Sequence, residues 1–323
     1  MDGSDRLARH PNLTEPRGPI APSGEQIELA FGDQRAVVTE VGAGLRSYFA
    51  DGRALVDGYE PDEFAPSGRG QLLIPWPNRI EDGSYELDGR RHQLPLDEPE
   101  RQNAIHGLVR WSAWRIAERE NDSAVLEHVL HPRPGYPFSL ALRVEYSLSD
   151  DGLTVRTAAA NVGAETAPYG MGAHPYLAVG GGRVDATELG VPAGTVLEAN
   201  ERGIPVGAAP VEGTELDFRI ARAIGTTKLD HAFTDLERGS DGRATVELGT
   251  RDGETALWVD EAYPYLMVFT GDTLPDGGRR SVAVEPMTCA PNAFRSGDGL
   301  IRLEPEQTHT GTWGISPVAG PLV

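Results

Sequence analysis

Along most of this chain apolar and polar residues alternate with a period of two, the pattern of strands that bury one face. Ile27, Leu29 and Phe31 share a face of IELAF, and Leu140, Leu142, Val144, Tyr146 and Leu148 share one of LALRVEYSL. Asp-Gly turn signals separate such runs: Asp88-Gly89 in YELDGRRHQL, Asp151-Gly152 in SLSDDGLTV and Asp252-Gly253 in ELGTRDGETALWV. No stretch reads as an amphipathic helix of several turns with a cap at each end. No fixed-period repeat or low-complexity linker divides the chain. The pattern predicts an all-β protein, a large antiparallel β-sandwich built as one domain over residues 25–323. Residues 1–24 are polar and punctuated by proline, and are expected to form a flexible arm.

At 323 residues with 39% hydrophobic content, the chain is long enough to bury a sizeable core. Its 39 glycines and 25 prolines are spread without a period, which fits many short connections. The net charge of −20 repels phosphate backbones and anionic bilayers, so neither nucleic acid nor membrane is an expected partner. No apolar run approaches the ~20 residues that span a bilayer, and the N-terminal stretch holds no apolar core of a signal peptide. The single cysteine, Cys289, excludes an internal disulfide framework and a multi-cysteine metal site. A soluble, cytoplasmic protein, monomeric or weakly dimeric, is the expectation.

Five places combine polar, reactive side chains with stiffening neighbours. In IPWPNRI two prolines bracket Trp76 ahead of Asn78 and Arg79. An aromatic face there can stack on sugar C–H groups while the guanidinium bonds hydroxyls; the plainer reading is a rigid corner with a surface arginine. In NAIHG, His106 precedes a glycine and lies near Trp111 and Trp114, and a partly buried structural histidine is the competing reading. In GMGAHPYLAVGGG, Pro175 keeps His174 out of the helical region and the glycines admit a close neighbour. That imidazole can donate a proton near neutral pH, or serve only in packing. TTKLDHAF carries Lys228, the only lysine of the chain, beside Asp230 and His231. In VEPMTCAPNAF an alternating run ends at Glu285 and Pro286 follows at once. This describes either a solvated strand end or a base held in a fixed direction.

Metal binding is weakly supported. His128 and His131 in EHVLHP are three apart in a segment that reads as strand, which sets them on opposite faces. No phosphate loop or dinucleotide fingerprint is present, and Cys289 has no electropositive neighbour to make it a nucleophile.

Taken in order, IPWPNRI, DGSYELDG, NAIHG, YPFSLALRVEYSL, GAHPY, LDHAF and VEPMTCAPNAF resemble the aldose 1-epimerase, or mutarotase, family across roughly residues 26–315. The resemblance implies the galactose mutarotase-like supersandwich, with a sugar cleft across one sheet. It implies a reaction that interconverts the α and β anomers of a free monosaccharide. In that family a glutamate near the C-terminus takes the proton of the C1 hydroxyl, and a histidine followed by proline protonates the ring oxygen. By match these are Glu285 and His174. The second histidine, which binds the sugar, matches His106; the aspartate and arginine that hold its hydroxyls match Asp230 and Arg79. Asn78 and Tyr176 fall beside them in the substrate-binding set. No metal and no cofactor is implied, because opening a cyclic hemiacetal needs one proton acceptor and one donor. Pro286 then fixes the direction of the base. Met267 departs from the pattern, since galactose mutarotases often carry a glutamine in the strand matching PYLMVFTG. A side-chain amide that would contact the sugar is therefore missing.

Other readings use the same residues. A glycoside hydrolase would pair Glu285 with Asp230 and leave both histidines without a task. A non-catalytic carbohydrate-binding protein has little use for a rigid Glu and His together. A Schiff-base enzyme would have to use Lys228.

Overall fold

Two antiparallel sheets form from the alternating segments of residues 20–274 and 278–318, the part of the chain that the computed structural model describes. Of the arm expected over residues 1–24, residues 1–19 lie outside that part. The first sheet runs, in spatial order, Gln26–Phe31, Gln34–Thr39, Leu45–Ala50, Arg53–Val56, Tyr176–Ala178, Ser281–Met287, Tyr265–Phe269, Asp230–Leu236, Ala193–Ala199 and Pro205–Pro210. The second runs Arg115–Arg119, Ser123–Leu130, Leu140–Ser149, Gly152–Asn161, Thr308–Val318, Gly253–Val259, Ala244–Thr250, Glu188–Gly190 and Arg222–Ala223. Among the described residues the only α-helix is the single turn Ala293–Ser296. None there is long and apolar enough to cross a membrane.

The apolar faces join the sheets. Leu140, Leu142, Val144, Tyr146 and Leu148 meet Ile27, Leu29, Leu266, Val282 and Val284 in one buried cluster. Burying a side chain of this size contributes roughly 1.5–3 kcal/mol. A slip of one residue would turn the whole set to solvent, so burial selects the register.

Asp88-Gly89 forms a two-residue hairpin turn between Ser84–Leu87 and Arg90–Gln93, with φ of +50° and +74°. The other two turns sit one residue earlier than their Asp-Gly pairs suggest. Ser149 pairs with Gly152 and Thr250 with Gly253, so the turn residues are Asp150-Asp151 and Arg251-Asp252. Each glycine opens the next strand at φ +102° or +129°, where a Cβ would strike the Ile315 carbonyl or the Arg53 side chain.

The strand carrying Glu285 also runs further than expected, passing through Pro286 to Met287. Proline is rare inside a sheet because it lacks a ladder donor. Val284 N donates to Pro175 O at 3.2 Å and Thr288 N to Met171 O at 2.8 Å, so a donor at 286 would fall between them. There the neighbouring chain is interrupted at His174-Pro175, between Gly172–Ala173 and Tyr176–Ala178. The register is still continuous from Tyr176–Ala283 to Gly172–Met287, so Pro286 faces Ala173 and its missing N–H leaves a gap in the ladder beside His174.

Candidate active site

Adjacent strands of the first sheet present one face as the floor of a cleft. Met267 lies opposite Glu285 and Ala232, Tyr176 opposite Ala283, and Asp230 opposite Phe269. Residues two apart share a face, so Tyr176, Glu285, Met267, Phe269 and Asp230 turn to the cleft. Leu177, Val284, Leu266, Val268 and Phe233 turn to the core. An apolar run ends in a carboxylate because Val284 belongs to one face and Glu285 to the other. The cleft holds about 470 Å3, and Asn78, Arg79, His106 and His174 line it together with Tyr176, Asp230, Met267 and Glu285.

A two-stranded ribbon, Arg79–Glu81 with Asn103–Ile105, forms one wall. His106 N donates to the Asn78 carbonyl at 2.9 Å, and both residues hold positive φ, +61° and +52°. Asn78 Oδ1 accepts from the Arg79 backbone N–H at 3.0 Å, leaving its amide NH2 for any ligand. Arg79 is not a surface arginine. Glu98 grips it in a fork, Nε to Oε2 and Nη2 to Oε1 at 2.9 Å each, and Asn103 Nδ2 donates to Glu98 Oε2 at 2.8 Å. Burial works against the Glu98 charge, but these bonds outweigh it and hold the carboxyl below its ordinary value. Gly203 packs against the Arg79 guanidinium, where a Cβ would lie 2.7 Å from Nη1.

At the floor, His174 Nε2 lies 3.3 Å from Glu285 Oε1, with both side chains almost wholly buried. His174 Nδ1, Glu285 Oε2 and His106 Nδ1 have no protein partner. Unpaired buried polar atoms are costly and mark a place where function competes with stability. The imidazole is held from several sides. Tyr176 stacks on it at 5.0 Å and 8°, and Arg69, paired with Asp57, packs over the Tyr176 ring at 4.2 Å. His106 meets it edge-on at 5.3 Å. Gly68 touches it so closely that a Cβ would lie 2.9 Å from Cδ2.

Burial sets the charges here. It pushes His174 down to about 3, with Arg110, Arg69 and Arg79 adding to the effect. His174 is therefore not poised near neutral pH, as its sequence context suggested. Burial and the neighbouring His174 hold His106 well below its ordinary value. Burial, then Asp230, raises Glu285 well above the ordinary carboxylate range, against an opposing pull from Arg79. Burial thus opposes the charged form of both members of the Glu285–His174 pair.

A cleft of this kind on this sandwich has close counterparts. The family model described as aldose 1-epimerase matches residues 25–316. The chain belongs to the aldose 1-epimerase family. It is 39% identical to the uncharacterized protein YihR of Escherichia coli over 291 residues, 89% of this chain and 91% of that one. It is 29% identical to the aldose 1-epimerase of Escherichia coli over 228 residues, 65% of this chain and 64% of that enzyme. In fold it is similar to the GalM/aldose epimerase homologue from C. elegans, with a TM-score of 0.81, 18% identity, and coverage of 91% of this chain and 99% of that one.

All eight residues singled out from the sequence of this aldose 1-epimerase family member meet in one cleft. Trp76 does not join them. It is buried and packs edge-on against Phe294 at 5.6 Å, so it offers no face to a sugar. Lys228 and His231 lie outside the lining. Cys289 is buried, and burial pushes its thiol up to about 12. The sequence reading missed Glu98, Asp97, Arg110 and Arg69; the carboxylate-rich LDEPE before NAIHG was the available signal. Among the described residues the group of donors near enough to hold a metal ion is His106, His174 and Glu285, within 4.8 Å of one another. His128 and His131 do not face opposite ways. Their strand ends at Leu130, so alternation stops short of His131, and both line one shallow groove.

Proposed function

We propose that this chain interconverts the α and β anomers of a free aldose. Glu285 accepts the proton of the C1 hydroxyl and His174 donates one to the ring oxygen. The bond from C1 to the ring oxygen breaks and C1 becomes an aldehyde. Rotation about C1–C2 and reclosure, with the roles reversed, yields the other anomer. His106, Asp230, Asn78, Tyr176 and the Arg79 guanidinium surround the sugar and orient it.

The observation that carries this reading is the buried Glu285–His174 pair at 3.3 Å, each partner keeping one polar atom unpaired at the cleft floor. Its electrostatics suit the proposed step. Transfer leaves a neutral carboxylic acid and a neutral imidazole beside the open-chain sugar, the forms that burial favours in both groups. The step itself starts from Glu285 ionised with the pair's one proton on His174, the arrangement that burial disfavours, and relaxes to the neutral pair.

The test is anomer exchange, followed by polarimetry or NMR over a panel of aldoses, sugar phosphates and sugar sulfonates. Glu285→Gln nearly keeps volume and removes the base, and is expected to lower kcat by ~10²–10⁴-fold with the fold intact. Near-full activity in a folded variant would remove Glu285 from the mechanism.

A further inference from the structure

Two imidazoles and a carboxylate converge at the floor of the cleft. His106, His174 and Glu285 each offer a donor atom within 4.8 Å of the other two. They come from three separate places in the chain: the turn after Asn103–Ile105, the break before Tyr176–Ala178, and the strand Ser281–Met287. Two histidines and a glutamate are a donor set of zinc, and its tetrahedral bonds of ~2.0–2.1 Å set neighbouring donors about 3.3–3.4 Å apart. The 3.3 Å between His174 Nε2 and Glu285 Oε1 already has that spacing. A small rotation of the His106 ring, which meets His174 edge-on at 5.3 Å, brings in the third donor.

Glu285 Oε2 and the Nδ1 of each imidazole have no hydrogen-bond partner in the protein. Buried polar atoms left unpaired in this way call for a water or an ion. The field suits a cation as well. Five acidic and three basic side chains line the cleft, and two of the basic ones, Arg79 and Arg110, are each bound to a carboxylate, Glu98 and Asp97. Calcium and magnesium favour sites built of oxygen, whereas imidazole favours zinc, nickel and copper.

We propose that His106, His174 and Glu285 form a reversible inhibitory site for a divalent cation of the zinc type, with a fourth position open to the cleft. The cation takes the carboxylate oxygen and the imidazole lone pair that move protons in the anomerisation reading, so the bound form is inactive. The inhibition rests on that reading; the binding rests on the donor geometry.

The experiment titrates EDTA-treated protein with Zn2+, and with Mg2+ as the contrast, in calorimetry, thermal unfolding and anomer exchange. One Zn2+ per chain is expected to bind, to raise Tm by binding the folded state, and to suppress exchange until EDTA restores it. Mg2+ at the same concentration is expected to do none of these. Variants locate the ion. Glu285→Gln exchanges a carboxylate for a poor ligand, and His106→Asn removes an imidazole while asparagine tolerates the φ of +61° there. Loss of an outer partner already costs a metal site ~10–100-fold in affinity, so loss of a ligand is expected to weaken Zn2+ binding ~100-fold or more in each. Circular dichroism checks that both variants fold. Replacing His128 and His131, which line the groove elsewhere, by asparagine is expected to leave Zn2+ binding as in the parent. If Zn2+ neither binds nor stabilises the parent, the site does not exist. If the His128 and His131 replacements abolish binding while Glu285→Gln keeps it, the ion sits in the groove and the inference is wrong. Equal inhibition by Mg2+ would show a general effect of charge instead of this donor set. Should no aldose anomerise at all, the reaction reading fails, while calorimetry and Tm still decide the site.

Discussion

Met267 sits beside Glu285 on the neighbouring strand, and its buried thioether lines the cleft where the family resemblance leads to the expectation of an amide. A thioether is a weak acceptor, so a sugar hydroxyl turned to it loses water without full compensation, at roughly 1–3 kcal/mol. We therefore expect galactose to be a poor substrate, and Met267→Gln to raise its kcat/KM by about 5- to 150-fold relative to glucose and xylose. Galactose already being the best substrate of the parent would show that Met267 decides nothing. The charges of the floor lead to a second expectation. The working form of the Glu285–His174 pair carries one proton, so kcat/KM is high wherever the pair keeps one and only one. Unshifted groups would place the two limbs at their ordinary values of 4.5 and 6.5. Burial moves the limbs apart: the acid limb towards about 3, the alkaline limb well above the carboxylate range. Activity is expected to persist below pH 4.5, and an acid limb found at 4.5 would contradict it. Stability shifts with opposite signs. Below 6.5 the unfolded chain binds protons that folded His174 and His106 refuse, so these groups destabilise the fold as pH falls. Glu285 keeps a proton in the fold that the unfolded chain loses above 4.5, so its contribution declines as pH rises.

At the scale of the element, one strand separates stability from chemistry. Tyr265–Phe269 turns Met267 to the cleft and Leu266 to the core. Leu266→Ala is expected to lower unfolding free energy by ~2–5 kcal/mol through lost burial and a cavity. Urea titration measures this, and activity per folded molecule should stay near that of the parent. A loss of activity out of proportion to folded protein would mean that the two faces are not separable. The same alternation explains what could be seen in the sequence. Leu140 to Leu148 and Ile27 to Phe31 announced a sandwich through period two alone. Glu285, His174, His106 and Asp230 stood out because proline, glycine or a change of polarity interrupts a regular run beside each. Glu98 and Arg69 did not, because their roles depend on contacts far along the chain, with Arg79 19 residues away in one case and the Tyr176 ring in the other. Trp76 was misleading for a related reason. Its prolines read correctly as a stiff corner, but which way the indole points is set by Phe294, more than two hundred residues later.

For the whole molecule, 49 acidic against 29 basic residues leave a strong surplus of negative charge. Many of the arginines are tied up in pairs such as Arg302–Asp88 and Arg90–Glu165, which lie at the surface and are individually worth little. Cohesion therefore rests on the sheets. The second sheet has a particular order of assembly written into it. Thr308–Val318 lies between Gly152–Asn161 and Gly253–Val259 and pairs with both. During synthesis the two sides of that sheet stay apart, each with an open edge, until the ribosome has released residues 308–318. Closure of this sheet thus waits until residues 308–318 have been made, and open edges in the interim invite pairing between nascent chains. A chain stopped before Thr308 is expected to be insoluble or to lack cooperative unfolding. A soluble, cooperatively unfolding product would show that the sheet closes without its middle strand. In a cell making this protein quickly, the holding of nascent chains apart, more than the final stability, would then limit the yield.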